Sequence, residues 1–499
     1  MTRTGESAGA GGWEDADFFG RVAIGDAARG EVDDGVWARP TQFCREDPLF
    51  TDGYDPSDIC QGSLGDCWLI SAISIVAAHP DLMREVFPIQ ETTKHGCYGV
   101  RLFKNGKWTP VLVDDRFPVQ RNVFRYPDRF KSLYRGDWQA ADPRQLRRLP
   151  AVAFAGSQSG SELWAMLLEK AIAKYYGSYS ALNGGLVHTA LVDLTGGVGQ
   201  CVALQDEKPA IQDGSLWRKL LTWHESGFLI GCGSNAGSDS DTSKQGIVQG
   251  HAYAILRVVE VDDSRGSHKL LCLRNPWGSG EWKGKFSDQD TRSWTKRLMA
   301  KCDYDPAKAD PDDGMFFMAW EDFLMEYRNI YLLRRFKLAG PGNPDGWHRY
   351  TVHGSWRGKS AGGAPMSANV STCAGSPTYL VQPTQPTDLF ISLQQHERPG
   401  AGRNYIVHGF TLFDVGGKRV QRVFQGDLHS GWGPFAGMRE LTQELHVEPS
   451  SKGPYSLVAA TYEAGHEAGF TLTVYSRAPL QTSAPGVLDL LPADAPVNG

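Results

Sequence analysis

The chain has 499 residues, 41% of them hydrophobic and 22% charged, with a formal net charge of −6. That length exceeds what one hydrophobic core organises and implies two to four domains of ordinary globular composition. The mild negative charge excludes an electrostatic case for nucleic-acid binding, and no lysine/arginine block is present to hold an acidic membrane.

The opening residues MTRTGESAGAGG are small and polar, the composition of a disordered tail, and residues 1–36 read as an N-terminal tail and anchor region. They lack the apolar run of a secretory signal, and Thr2 is not the glycine that myristoylation requires. From 37 to 187 helices alternate with loops. Asp66 is placed to cap a helix from Cys67 to about Ala78, which the His79-Pro80 step ends. This stretch is apolar nearly all round, which predicts a buried central helix, and it is about half the length needed to span a bilayer. A second helix is expected from Glu162 to Tyr176, stopping at Gly177.

After "DLTGG" (193–197) the pattern changes to strands. "HAYAILRVVEV" and "HKLLCLRN" read as an antiparallel hairpin across "DDSRGS", within a region 188–338. From 339 to 478 short β runs separated by Gly/Pro/Ser turns argue for a β-sandwich, and the Pro/Ala-rich residues 479–499 read as a flexible tail. Residues 336–499 hold 12 Lys+Arg against 12 Asp+Glu, so the net negative charge lies upstream of the sandwich. Nine cysteines, an odd number without regular spacing, suit reduced thiols, and a cytoplasmic address is the default expectation.

Cys67 stands at a helix start behind a glycine-containing loop, where amide dipoles favour the reactive thiolate. Cys60 has no helix start behind it and reads as an inert thiol. A nucleophile needs a base and a group to orient that base. His251 begins an apolar strand and Asn275 ends its hairpin partner, so both lie at one end of the hairpin. With the turn at Asp262–Ser267, Asn275 falls opposite Ala254, and His251 is three residues along, roughly 10 Å at strand rise. Whether their side chains meet depends on bulges that periodicity does not reveal. Gln61, six residues before Cys67, can offer its amide N–H₂ to an oxyanion beside the Cys67 backbone N–H.

"DICQGSLGDCWLISAIS", "ELWAMLLEKAIAKYYGSYSALNGG", "DLTGG", "GHAYAI", "RNPWGSGEWKGKFSD" and "DDGMFFMAWEDF" together resemble the catalytic core of the calpain family, in the family's order from about residue 37 to 335. The resemblance implies an α+β fold class: a papain-like, two-lobed cysteine protease core followed by an all-β, C2-like sandwich. It implies Cys67 as nucleophile, His251 as base, Asn275 as orienter, Gln61 as oxyanion donor and Trp277 as a cover over the His–Asn bond. The activity implied is limited, calcium-dependent proteolysis of protein substrates.

The resemblance also implies Ca²⁺ ligands. In the first lobe they are Thr51 and Gly53 through backbone carbonyls, with the side chains of Asp58 and Glu169. In the second lobe they are Glu281, Asp288 and Asp313, with a backbone contribution near Pro311. Met315 stands where the family often has another glutamate, which weakens or removes the second site. "HGSWRGKSAGG" and "PYSLVAATYEAGHEAGFTLTVYS" resemble the sandwich that follows calpain cores. No penta-EF-hand region is expected after it, and hence no small-subunit partner. The neutral sandwich is left as a surface for weak membrane or protein contact. The alternatives are a catalytically silent scaffold of calpain fold, against which the intact triad counts, and a transglutaminase-type acyl transferase, which would use Asp where this chain has Asn275.

Overall fold

The computed structural model describes residues 12–28, 32, 36–42, 49–50, 53–120, 151–157, 162–310 and 313–498. Most of the polar tail expected at the N-terminus lies outside these residues. The chain divides into two compact units. The first runs to residue 334 apart from 104–107 and 197–200, and those two segments group with the second, from residue 335 onward. Both lobes expected of the core thus belong to one unit.

That unit is organised around the helix Cys67–Ala77, in which every residue from Trp68 to Ala77 is buried. It packs on the helix Val187–Thr195 and on the strand Ala252–Asp263. The helix Trp164–Tyr176 starts two residues later than the pattern implies and ends as expected, with Gly177 in the left-handed region at φ 106. Phe18, Ala23 and Ile24 join the same core, which makes part of the expected N-terminal tail an integral segment.

A six-stranded sheet faces the helix. Its order is Met315–Ala319, Gly266–Arg274, Ala252–Asp263, Leu229–Ser234, Tyr327–Arg334 and Val198–Ala203. The hairpin read from the sequence is its centre, with Asp263 paired to Gly266 at the turn. A register shift between Ile255 and Arg257 brings Ala254 opposite Arg274. Asn275 therefore continues opposite Tyr253, one residue nearer His251 than a regular ladder allows.

The second unit is the expected sandwich. One four-stranded sheet orders His348–Trp356, Ala468–Ser476, Thr387–Gln395 and Glu440–Val447, and the other orders Thr378–Val381, Tyr455–Thr461, His408–Phe413 and Phe435–Ala436. The flexible tail expected over 479–499 is not what the structure has. Leu480, Leu488 and Leu491 are buried, and Val497–Asn498 pairs in parallel with Arg419–Val420. The Arg419 guanidinium donates to the carbonyls of Leu491 and Pro492 at 2.7 Å each. Three apolar anchors and one buried cation outweigh the Pro/Ala-rich composition.

Asp66 holds the N-cap position of the nucleophile helix, but its side chain makes no capping bond. Its fully buried carboxyl faces that of Glu169, which accepts from the Ala155 N–H at 3.0 and 3.2 Å. Burial pushes Asp66 up to about 7 and drives Glu169 well above the ordinary carboxylate range, with the Asp66 charge adding to the latter. Two such groups hold at least one proton between them. The folded chain keeps this proton while the unfolded chain releases it near pH 4, so the pair's contribution to stability is full below about pH 4 and is lost as pH rises through about 7. Glu169→Gln keeps an acceptor for Ala155 and removes one charge. Its unfolding free energy should match wild type near pH 4 and exceed it above about pH 7, the gap widening by up to about 1.4 kcal/mol per pH unit across the window. Parallel melting curves for the two proteins would refute the shared proton.

Candidate active site

The loop before Cys67 is pressed against the segment Ala153–Phe154. Ser63 donates to the Ala153 carbonyl through its N–H at 3.1 Å and its hydroxyl at 2.8 Å. A Cβ at Gly62 would lie 2.1 Å from the Phe154 carbonyl oxygen, so only glycine fits there. The glycine-rich lead-in is therefore a matter of close backbone approach, and it delivers Gln61 and Cys67 to the same edge of the second lobe.

Cys67 opens the helix, and the Ala252 backbone N–H is directed at its sulfur. Ala252 directly follows His251. Burial pushes the Cys67 thiol up to about 12, and the charges of Asp239 and Asp66 add to this. His251 is itself buried, and burial lowers its imidazole to about 4 against a smaller opposing effect of Asn275. In this arrangement the proton rests on sulfur and the ring is neutral.

The ring's tautomer follows from its neighbours. Asn275 Nδ2 donates to the Gly280 carbonyl at 3.0 Å, and Oδ1 accepts from the Trp277 N–H at 3.1 Å, which fixes the amide orientation. His251 Nε2 lies 3.1 Å from that same Oδ1, so Nε2 carries the hydrogen and donates. Nδ1 is left with a lone pair, and among the described residues it is buried without a hydrogen-bond partner. The Trp277 ring lies 4.8 Å from the imidazole between centroids, and Tyr253 stands edge-on at 5.2 Å. A half-buried indole thus covers the His–Asn bond.

Gln61 is buried and close to this group. Its backbone N–H donates to the Pro276 carbonyl at 2.9 Å. Its side-chain Nε2 donates to Leu64 O at 2.6 Å, which leaves the second amide hydrogen for another acceptor. The structure therefore brings Gln61, Cys67, His251, Asn275 and Trp277 into one neighbourhood.

In the first lobe the acidic residues group differently from the expected Asp58–Glu169 pairing. The Asp58 carboxyl is hydrogen-bonded to Glu162, and its pKa is raised by burial and by the Asp55 charge. Glu169, expected as the partner of Asp58, is occupied with Ala155 and Asp66 instead. The two glutamates differ by one heptad, so helical phase alone does not separate them. Glu162 precedes the helix while Glu169 lies within it. Gly53 is in the left-handed region at φ 108, and Thr51 lies outside the described residues.

In the second lobe Glu281, Asp288 and Asp313 do interact. Burial first, then the charges of Asp288 and Asp313, raise Glu281 to about 8; burial raises Asp313 to about 6 and also raises Asp288. Asp288 Oδ1 accepts from the Tyr304 hydroxyl, and Oδ2 is buried without a partner among the described residues. Glu281 accepts from the Gly314 N–H at 3.1 Å. The Met315 side chain adds no carboxylate, and Pro311 lies outside the described residues. Among the described residues no three His, Cys, Asp or Glu side chains are preformed around a metal-sized point.

Sequence reasoning missed two groups. One is Glu162, and the other is Asp239, whose charge reaches Cys67 from the loop between Ser234 and His251. That loop is rich in Ser, Gly and Asp and carries no periodic signal.

The comparisons with known proteins agree on the family. Residues 13–334 match the calpain family cysteine protease model, and residues 352–475 match the model of calpain large subunit, domain III. The calpain-type cysteine protease ADL1 of Oryza sativa subsp. japonica is 36% identical over 474 residues, covering 90% of this chain and 20% of that protein. Calpain-type cysteine protease DEK1 of Arabidopsis thaliana is 35% identical over 476 residues with the same coverage. Calpain-12 of Homo sapiens is 30% identical over 489 residues, covering 88% of this chain and 62% of that protein. The chain thus spans about a fifth of the length of the plant relatives and less than two thirds of the human one. With a peptidase core over 13–334 and a domain III sandwich after it, the chain belongs to the calpain family of cysteine proteases.

Proposed function

We propose that the chain cleaves proteins at limited sites through a Cys67–His251–Asn275 triad, under the control of calcium. The observation that carries this reading is the His251 imidazole. Its Nε2–H is fixed on Asn275, and its unpartnered Nδ1 lies in the residue next to the amide that faces the Cys67 sulfur.

In the reaction, the Cys67 thiol gives its proton to Nδ1, and the sulfur bonds to the peptide carbonyl carbon. The oxyanion takes hydrogen bonds from the Cys67 N–H and the free amide hydrogen of Gln61. The carbon–nitrogen bond then breaks, and the imidazolium protonates the leaving amine. Water, deprotonated by the same Nδ1, hydrolyses the thioester and restores the thiol. Trp277 excludes water from the His–Asn bond while Asn275 holds the ring in one tautomer. A thiol near 12 and an imidazole near 4 do not exchange a proton where they stand. Direct apposition of Sγ and Nδ1 would move both values toward each other, because each ion stabilises the other. We propose that a small movement bringing Sγ and Nδ1 into contact precedes catalysis.

Calcium fits that requirement. Asp58 with Glu162, and Glu281 with Asp288 and Asp313, are all-oxygen sets, in which burial raises the carboxyls of Asp58, Glu281, Asp288 and Asp313. Bound Ca²⁺ would supply the positive charge that lets these carboxylates ionise and draw together. We assign the activity to a reducing, cytoplasmic setting, supported by the free thiols of Cys67, Cys97, Cys201, Cys232, Cys272, Cys302 and Cys373.

Cys67→Ala should abolish cleavage of a protein such as casein, while Cys60→Ala retains it. His251→Ala should lower kcat by about 10³-fold and Asn275→Ala by about 10- to 100-fold, since a positioned base is worth 10²–10⁴. Wild-type turnover in Cys67→Ala would overturn the nucleophile assignment.

A calcium titration of cleavage separates the two glutamates. Glu162→Gln should raise the calcium needed for half activity by about tenfold or more, by loss of a charged ligand, and Glu169→Gln should leave it near wild type. The reverse order would restore Glu169 as the ligand, and full activity in excess EGTA would remove calcium from the scheme.

A further inference from the structure

Arg274 is the last residue of the strand Gly266–Arg274 and the immediate neighbour of Asn275. Its side chain is 1% exposed. The guanidinium leaves its own sheet and, among the described residues, bonds to the first lobe. Nη1 donates to the Ser74 hydroxyl at 2.9 Å, and Nη2 donates to the backbone carbonyls of Ser57, at 3.2 Å, and Ile59. The surrounding acidic groups, Asp55, Asp58 and Asp313, act on it through space. Nε is buried without a partner among the described residues. A buried cation held by neutral acceptors is an expensive way to fill space, and an apolar side chain of similar volume would cost less.

What those acceptors have in common is their address. Ser74 is two helical turns along from Cys67, on the same stripe. Ile59 is two residues before Gln61, and Ser57 and Ile59 bracket Asp58. On the other side, the Asn275 N–H donates to the Gly314 carbonyl at 2.8 Å, next to Asp313. One planar fork thus touches the supports of the nucleophile, the oxyanion donor and the base-orienting amide. A cavity of about 540 Å³ opens beside it, lined among others by Pro56, Ser57, Ile75, Arg274 and Met315, so bulk packing does not fix this edge of the seam.

We propose that Arg274 is a positioning residue, whose fork sets the register of the Cys67 helix and the Gln61 loop against the strand end that carries Asn275 and, through it, His251. This rests on the triad reading above. Lysine cannot replace it, because a single ammonium has no planar fork with which to hold a hydroxyl and two carbonyls at once. The fork's role is geometric, so its loss shows in the proton relation between thiol and imidazole rather than in substrate affinity.

The test uses the full chain at saturating calcium, with Arg274→Lys and, as a milder change that removes only the Nη1 acceptor, Ser74→Ala. We expect kcat to fall at least tenfold in Arg274→Lys and several-fold in Ser74→Ala, with KM within twofold of wild type. The second readout is the rate of Cys67 alkylation by iodoacetamide against pH. In wild type it should show a step from imidazole titration; in Arg274→Lys that step should shrink, leaving a single rise at high pH. Should Arg274→Lys fail to fold, the same two readouts on Ser74→Ala decide. A lower melting temperature with wild-type kcat and an unchanged alkylation profile would make Arg274 a structural brace and overturn the inference. Activity retained in Cys67→Ala would instead overturn the triad on which it rests.

Discussion

The core of this protein depends on a helix that has no solvent face. From Trp68 to Ala77 every residue of Cys67–Ala77 is buried, so the only part of the helix that can meet a substrate is its first turn. Burial of this kind seats the helix within the first lobe, because a slip would open voids there, and leaves its edge beside the cavity to polar contacts. Its few polar atoms are therefore committed to particular partners. Trp68 Nε1 donates to Leu182 O at 2.7 Å, Ser71 Oγ to Ala252 O at 3.1 Å, and Ser74 Oγ receives Arg274. Cys67, Ser71 and Ser74 stand at i, i+4 and i+7, on one stripe. That stripe is the seam with the second lobe, and half-buried Cys67 is its outer end.

Much of this could be read from residues alone, and the failures have physical causes. The all-round apolar run gave the helix to within a residue, and the turn read at Asp262–Ser267 gave the hairpin, which pairs up to Asp263 and Gly266. The His251–Asn275 bond was out of reach because it depends on a bulge between Ile255 and Arg257, which strand alternation does not encode. Asp66 looked like a capping residue by type and position. Its carboxyl instead faces Glu169, a choice made by tertiary burial rather than by local sequence. The serine stripe was visible in principle: two hydroxyls at helical spacing on a helix with no wet face need buried partners. The C-terminal residues were misread because composition weighs prolines and alanines equally along a segment, while Leu480, Leu488 and Leu491 each find a place in the sandwich.

The choice between Glu162 and Glu169 follows from the same logic. Both fall on one helical phase, yet Glu162 sits before the helix begins, where the chain is free to turn toward Asp58. Glu169 lies inside the helix and is carried to the Ala155 amide. A motif match identifies that an acidic residue is present; the entry of the chain into the helix decides which one turns toward Asp58.

The electrostatics of the seam point one way. Thiol and imidazole are both held neutral by burial, and so are several carboxyls on either side of them. Each group has taken the protonation state that costs least without a counter-charge. Asp58 lies between the two carbonyls gripped by Arg274, and Asp313 precedes the glycine whose carbonyl receives the Asn275 amide. At that glycine, Gly314, a Cβ would come within 2.9 Å of the Asn275 carbonyl oxygen, so the two segments are in direct backbone contact. Each carboxyl cluster lies within one residue of backbone that is bonded to the arms that carry Gln61 and Asn275. The acidic clusters and the catalytic groups are anchored to the same seam, and the first turn of the buried helix is where that seam meets Cys67.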